Sequence, residues 1–395
     1  MENSSLTVSE PFRSGSRLQL LFKPEAEADG TDPFLLKESE AANDRSPGWQ
    51  KGFAPLTVSV IRAHTPFTCA VVLEVEIVHS SPKMSLPDRF ILKLNDRRFG
   101  YRHSFVRKPS EWNSDREAPF VDAVRMCLDP RRSTAIPHYF DDFPGPHEAV
   151  EWRTLDRQPW MAELYTWKLK YQQYLAEILA YRCLQTLQGA SIPRLHGTVR
   201  LPILCGSDFL HPAVDFVNGF AVSLIEGTPM NEVQVGRDLT KARAEEVSQR
   251  VLDLVRTIQR HRCLHNDIRL PNIILRNWPR QVDPVLIDFG AADIEQPHEP
   301  VMVYPGCGSD EVRETRSMLA DPEYGGWHAP SPFSQRVNEK HAAYMGFFRV
   351  NDRIESVPEH IRDLQYERIP DTDGPDAKKK VLQWRVREGV KTRET

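Results

Sequence analysis

The 395-residue sequence predicts an α+β protein in which a small strand-rich part with one long helix precedes a helix-rich part. Three observations predict it. Between Leu56 and Leu94, three runs rich in Val, Ile, Leu and Phe are separated by turns containing Pro and Ser, which is a strand pattern. Residues 164–187 and 244–258 place apolar side chains at steps of three and four, as helices do. Short apolar runs with turn residues between them lie on either side of the second helix.

Taken in order, residues 1–52 mix Ser, Glu, Pro and Asp without sustained periodicity and read as a loose, disordered leader. Within it, Leu18–Phe22 is too short an apolar run for a secretory signal. The three strands are Leu56–Arg62, Cys69–Val78 and Arg89–Leu94. Residues 95–160 read as an insertion of short helices and long loops. The long helix is carried by Leu164, Trp167, Tyr171, Tyr174, Ile178, Tyr181 and Leu187, and Gly189 ends it. Short strands follow near Leu195–Leu201 and Phe220–Ile225, with a turn at Glu226-Gly227-Thr228-Pro229. Ala244, Val247, Val251, Val255 and Ile258 mark the second helix, and Ile273–Leu275 and Val285–Ile287 two more short strands. Beyond Gly290, helices are expected at 311–319 and 335–348. Residues 366–395 form a polar tail, basic after Ala377, which reads as solvated. No internal repeat is present, which excludes a solenoid or propeller.

Composition bounds the function. With 40% hydrophobic and 27% charged residues, the chain can bury a sizeable core and is not wholly disordered. A net charge of −4 gives no support to nucleic-acid binding through bulk charge. Six scattered cysteines without a CxxC pair read as small buried hydrophobes in a reducing compartment. No apolar stretch approaches the roughly 20 residues that span a bilayer, since Glu74 and Glu76 interrupt even Cys69–Val78. The expectation is an intracellular protein, cytoplasmic or nuclear, with neither a signal peptide nor a transmembrane segment.

The chemistry concentrates in His265-Asn266-Asp267-Ile268-Arg269-Leu270-Pro271-Asn272 and in Val285-Leu286-Ile287-Asp288-Phe289-Gly290. Phosphoryl transfer needs one carboxylate to orient or deprotonate an acceptor hydroxyl, and separate oxygen ligands to hold Mg²⁺ against nucleotide phosphates. Asp267 suits the first role; Asn272 and Asp288 suit the second. The five-residue step from Asp267 to Asn272 lets one loop present both to a common centre. The run Val285–Ile287 delivers Asp288 at a strand end, and Gly290 is expected to permit an unusual backbone turn after it. His261-x-Cys263-x-His265 has no second ligand pair nearby in sequence, which argues against a zinc site.

H-x-D-x-x-x-x-N followed by an apolar strand and D-F-G resembles the catalytic and metal-binding loops of the protein-kinase-like superfamily. Across residues 53–290 the order of elements is also similar. Phrases such as Leu92-Lys93-Leu94-Asn95-Asp96-Arg97-Arg98-Phe99, Leu187-Gln188-Gly189 and Ile192-Pro193 resemble a divergent branch of kinase-like proteins found in fungi. The resemblance implies a bilobal fold: a small antiparallel-sheet N-lobe over 53–226 with the 95–160 insertion, and a reduced, mostly helical C-lobe over 227–365. It also implies a lysine that touches the nucleotide α- and β-phosphates and a helix glutamate that holds it. Lys93 on the third strand and Glu177 on the long helix are the matching residues, with Glu163 as a fallback. Arg269 takes the place where serine/threonine kinases carry a lysine facing the transferred phosphate, and backbone around Ser223 and Ile225 takes the place of the adenine hinge. His265 braces the catalytic loop.

The departures from that pattern are clear. The turn Ala63-His64-Thr65-Pro66-Phe67-Thr68 has no glycine, so a glycine-rich phosphate cover is absent, and no A-P-E follows Gly290. The expected activity is ATP- and Mg²⁺-dependent phosphate transfer to a hydroxyl acceptor, with protein Ser/Thr the first class. The alternatives are a small-molecule acceptor, as in aminoglycoside- and choline-type kinases, and a pseudokinase that binds without turnover. The acceptor and the oligomeric state are not readable from the sequence.

Overall fold

The computed structural model describes residues 10–25, 52–80, 86–100, 112–128, 159–203, 215–280, 282–294, 311–329, 366–368 and 384–386. Six strands form its largest sheet: β1 (Arg17–Pro24), β2 (Ala54–Ala63), β3 (Val71–Ser80), β4 (Arg89–Leu94), β5 (Leu195–Pro202) and β6 (Phe216–Ser223). Every pairing is antiparallel, in the order β1-β2-β3-β4-β6-β5, and β1 then pairs with β5 to close a barrel. Closure is driven by alternation. Leu18, Leu20 and Phe22 of β1, Val58 and Val60 of β2, and Phe90, Leu92 and Leu94 of β4 share one buried core. Each such side chain contributes about 1.5–3 kcal/mol on burial. At the closing seam a Cβ on Gly197 would lie 2.2 Å from the Lys23 carbonyl oxygen, so only glycine lets β5 approach β1 this closely.

The chain divides into two compact units, Met1–Met318 and Leu319–Thr395. In the first, α1 (Glu117–Leu128) packs on α2 (Pro159–Cys183). The helix α3 (Lys241–Arg260) is capped by Thr240, whose hydroxyl accepts from the Arg243 amide. It packs against β8 (Cys263–Leu264) and β10 (Asp283–Leu286). β10 belongs to a three-stranded sheet with β9 (Ile273–Arg276) and β7 (Gly227–Pro229), and β8 pairs with β11 (Asp293–Ile294). The first unit ends within α4 (Glu311–Ala320). In the second, β12 (Tyr366–Arg368) pairs antiparallel with β13 (Trp384–Val386).

This architecture corrects the expected bilobal kinase-like fold with its small antiparallel-sheet N-lobe and reduced, mostly helical C-lobe. The sheet is a closed six-stranded barrel, residues up to Met318 form one compact mixed α+β unit, and among the described residues five short strands, β7 to β11, are interspersed with the helices between 227 and 318. The physical reason is β1. It lies inside the segment read as leader, and its alternating Leu18, Leu20 and Phe22 supply the seam that joins β2 to β5. The helix expected at 335–348 lies outside the described residues. No helix among the described residues is long and apolar enough to cross a membrane.

Phe22 is 1% exposed in the barrel interior, so Phe22→Ala is expected to lower unfolding free energy by about 3–5 kcal/mol in denaturant titration. A loss below about 0.5 kcal/mol, the scale of a surface change, would mean that β1 does not close the barrel.

Candidate active site

Because Phe90, Leu92 and Leu94 of β4 point into the barrel, Lys93 lies on its outer face. There its ammonium is buried between two carboxylates. Nζ is 2.6 Å from Glu177 Oε2 of α2 and 2.5 Å from Asp288 Oδ1. The second oxygen of Glu177 accepts the Phe289 backbone N–H at 3.2 Å. Burial disfavours the ammonium, but Glu177 and Asp288 together outweigh it and hold the Lys93 pKa above the ordinary lysine range. Burial pushes Glu177 up to about 7 against the pull of Lys93. Lys93 holds Asp288 below the usual carboxylate range. Burial first, then the neighbouring Glu177 and Asp288, pushes the Tyr181 phenol up, so it stays protonated beside them.

Asp267, Arg269 and Asn272 form a second group. Asn272 Nδ2 donates to the Asp267 carbonyl at 2.9 Å and to Asp267 Oδ2 at 3.0 Å, and an Arg269 guanidinium nitrogen stands 3.2 Å from the same carboxylate oxygen. Two links tie this group to the first. The Ile287 N–H donates to the Asn272 carbonyl, and His265 Nε2 lies 3.0 Å from the Ile287 carbonyl. The Asp267 N–H donates to His265 Nδ1 at 3.3 Å. His265 therefore accepts on one nitrogen and donates from the other, which is the neutral tautomer. Burial lowers its pKa in the same sense. Its ring packs 4.7 Å from Phe289, which in turn meets Tyr181 at 5.5 Å.

Glu311 of α4 was not singled out from the sequence, since a glutamate in the first turn of a helix is ordinary there. In the fold it is 4% exposed and its Oε1 accepts the Asn266 N–H at 2.6 Å. That bond serves a strained position, because Asn266 has φ 60°. The unusual backbone near Asp288 also differs from expectation. Asp288 itself is left-handed at φ 68°, whereas Gly290 sits within the 3₁₀ turn Phe289–Ala291 without a positive φ. The strain falls on the residue whose carboxylate Lys93 holds, and Asp tolerates this region better than most side chains.

The remaining expected positions are placed as follows. Glu163 bonds Arg97 at 2.9 Å and Arg116 at 3.5 Å, which corrects its reading as an alternative partner for Lys93. Ser223 pairs with Phe90 in the barrel, its N–H donates to the Arg194 carbonyl, and its hydroxyl lies 3.1 Å from His196 Nε2. Its amide is therefore committed to the fold rather than open to a ligand. Ile225 lines an open cavity with Ser223, Glu226, Arg89 and Arg276. Neither Ser223 nor Ile225 hydrogen-bonds to the two groups above.

No cluster of three or more His, Cys, Asp or Glu capable of holding a metal occurs among the described residues. His261 bonds the Thr257 carbonyl and approaches Thr186 instead. The oxygens at hand suit one kind of metal. Asn272 spends its amide nitrogen on Asp267, which leaves its carbonyl oxygen facing away from that bond, and Asp288 has a second oxygen beside the one bound to Lys93. The Asp288 side chain is 28% exposed, so a cation can reach it. Two hard oxygen ligands fit Mg²⁺, which keeps waters and takes further ligands from substrate phosphates. Neither a family model nor a curated protein matches the chain.

Because His265 is neutral in the fold while its ordinary pKa is 6.5, the unfolded chain binds more protons at that position below pH 6.5. Stability is therefore full above that pH and falls on acidification, by up to about 1.4 kcal/mol per pH unit for one group. Imidazole ¹⁵N shifts should show His265 as the Nε2–H tautomer well below pH 6.5. An imidazolium there at pH 6 would contradict the hydrogen bonds described.

Proposed function

We propose that the chain is an ATP- and Mg²⁺-dependent phosphotransferase of the protein-kinase-like superfamily that transfers the γ-phosphate to a hydroxyl acceptor. The observation that carries the reading is the Lys93 ammonium held between Glu177 and Asp288, close to a loop that presents Asp267 and Asn272. Lys93 keeps Asp288 ionised, and this negative charge at the exposed edge of the cluster favours a divalent cation there. Such an ion, held through Asn272 and Asp288, supplies charge neutralisation for the phosphates.

The protein's own residues carry the rest. Glu177 aims Lys93, and Lys93 presents its ammonium to phosphate oxygens. Asp267 accepts a hydrogen bond from the acceptor hydroxyl and takes its proton as that oxygen attacks the γ-phosphorus, while the bond to the β,γ-bridging oxygen breaks and ADP leaves. Asn272 fixes the Asp267 carboxylate by donating to it. Arg269, 52% exposed at its side chain, is free to swing from Asp267 towards the charge that develops on the transferred group. Arg269 favours a protein hydroxyl as acceptor, while the absence of A-P-E favours a small molecule. The motif resemblance adds to this reading through residues 265–272 and 285–290 alone; it does not rest on the bilobal fold.

A second reading, nucleotide binding without turnover, draws on the glycine-free turn 63–68. The carbonyls of Thr68 and Cys69 accept from Lys170 of α2, and a Cβ at Gly100 would lie 1.8 Å from the Thr68 oxygen. A turn held in this way is a poor mobile cover for phosphates.

Thermal denaturation with ATP and Mg²⁺ separates the readings. At a hundred times its dissociation constant the nucleotide should add about 2.7 kcal/mol of stability, and Lys93→Met should abolish the gain. Asp267→Asn is expected to keep the thermal shift while phosphate transfer to protein and metabolite pools falls by at least ~10²-fold. Full transfer by Asp267→Asn, or by an Asp288→Ala control, would overturn the assignment; no shift in the wild-type protein would overturn nucleotide binding itself.

A further inference from the structure

The helix α2 buries charge at a regular interval. Glu163, Lys170 and Glu177 are 0%, 3% and 1% exposed and stand seven residues apart. Seven residues turn a helix to within about 20° of two full turns and advance it about 10.5 Å, so the three side chains rise along one stripe. Each reaches the barrel or the loops at its end. Glu163 meets Arg97, just beyond β4, at 2.9 Å. Lys170 donates to the carbonyls of Cys69 and Thr68, just before β3. Glu177 meets Lys93 on β4. Because Val71 of β3 pairs with Leu94 of β4, the Arg97 and Cys69 attachments lie at the same end of the barrel, and Lys93 is one residue inside that end.

The Lys170 attachment is closed in. The Thr68 carbonyl that accepts from it is so tightly covered by Gly100 that any side chain there would collide, and Gly100 itself has φ 72°. Phe67, on the same turn, packs edge-on against Phe99 at 5.7 Å and Phe12 at 6.2 Å. The turn therefore cannot drift to follow a displaced helix; the ammonium of Lys170 has to meet fixed carbonyls.

We propose that Lys170 is a positioning residue: by tying the turn before β3 to the charged stripe of α2, it sets the reach of Glu177 to Lys93. The site is then assembled by the fold: the turn that stands where related motifs carry a glycine-rich cover is a fixed anchor, and Lys170 holds α2, and with it Glu177, against that anchor. The consequence for catalysis rests on the phosphotransferase reading, whereas the consequence for the Lys93–Glu177 pair does not.

The test reads Lys93 itself. Full-length protein is treated with an amine-acylating reagent without nucleotide, and modification of Lys93 is followed by peptide mass spectrometry. Lys170→Met should raise the Lys93 modification rate roughly tenfold, the size of coupling carried by a residue outside the ligand contacts. Glu177→Gln sets the scale for a released Lys93, and Lys170→Arg, which keeps a donor, should remain near the wild type. Val58→Ala, in the barrel interior, serves as a control for lost stability and should leave Lys93 protected. If Lys170→Met fails to fold, Lys170→Gln takes its place with hydrogen exchange of the 174–181 amides as the readout. Unchanged Lys93 protection in a folded Lys170 variant, or equal exposure in Val58→Ala, overturns the proposal. Absence of phosphate transfer in the wild type would sink the phosphotransferase reading and leave this measurement intact.

Discussion

The organisation of the first unit turns on one buried cation. Lys93 is 84 residues from Glu177 and 195 from Asp288, yet its ammonium touches both. An ammonium out of water is costly unless it is paired and fully hydrogen-bonded, and removing one partner of such a pair costs about 3–5 kcal/mol. The fold must therefore bring three elements to one point: the outer face of β4, the C-terminal half of α2 and the turn after β10. The Phe289 amide completes Glu177, so the same carboxylate that holds Lys93 also holds the turn that carries Asp288. Satisfying the cation and fixing the turn that carries the Asp288 carboxylate are one event.

The barrel makes this arrangement rigid. Alternation along β4 sends Phe90, Leu92 and Leu94 inward, so Lys93 cannot relax without turning its neighbours out of the core. An open sheet would leave that face to another layer; here β1 closes it, and closure is what keeps β4 buried on its inner side. The same strand reaches the helix, because Glu25, at the end of β1, pairs with Arg182 near the end of α2. Packing and site geometry are thus coupled through strand ends rather than through the site residues alone.

What was legible in the sequence follows from distance along the chain. Asp267, Asn272 and Asp288 occur within two short stretches whose residue types are uncommon together, and local spacing reveals them. Lys93 stands out as a charge with apolar neighbours on both sides within β4. The barrel was not legible, because its closing strand is a six-residue alternation inside an acidic, proline-containing stretch, and its partner β5 lies some 175 residues further on. Periodicity reports burial but not partners. For the same reason Glu163 could not be assigned to Arg97, nor Glu311 to the Asn266 amide, before the elements carrying them were placed.

The helix α2 shows why hydropathy alone misreads such a site. Its apolar residues Leu164, Tyr174, Ile178 and Tyr181 are buried, as a stripe of core residues should be. Yet Glu163, Lys170 and Glu177 are buried as well, and on the hydrophobic scale they count as solvent-facing. A helix that hides charges beside its apolar residues shows a weaker contrast between its faces; the spacing of the apolar residues reveals α2, while the burial of its charges stays hidden. Burying such charges is tolerable only where a fixed partner waits for each. A buried charge repeated every seven residues therefore marks a helix whose neighbours were already set by the rest of the fold. In α2 that neighbour is the end of the barrel, and the last charge of the series is the one that meets Lys93.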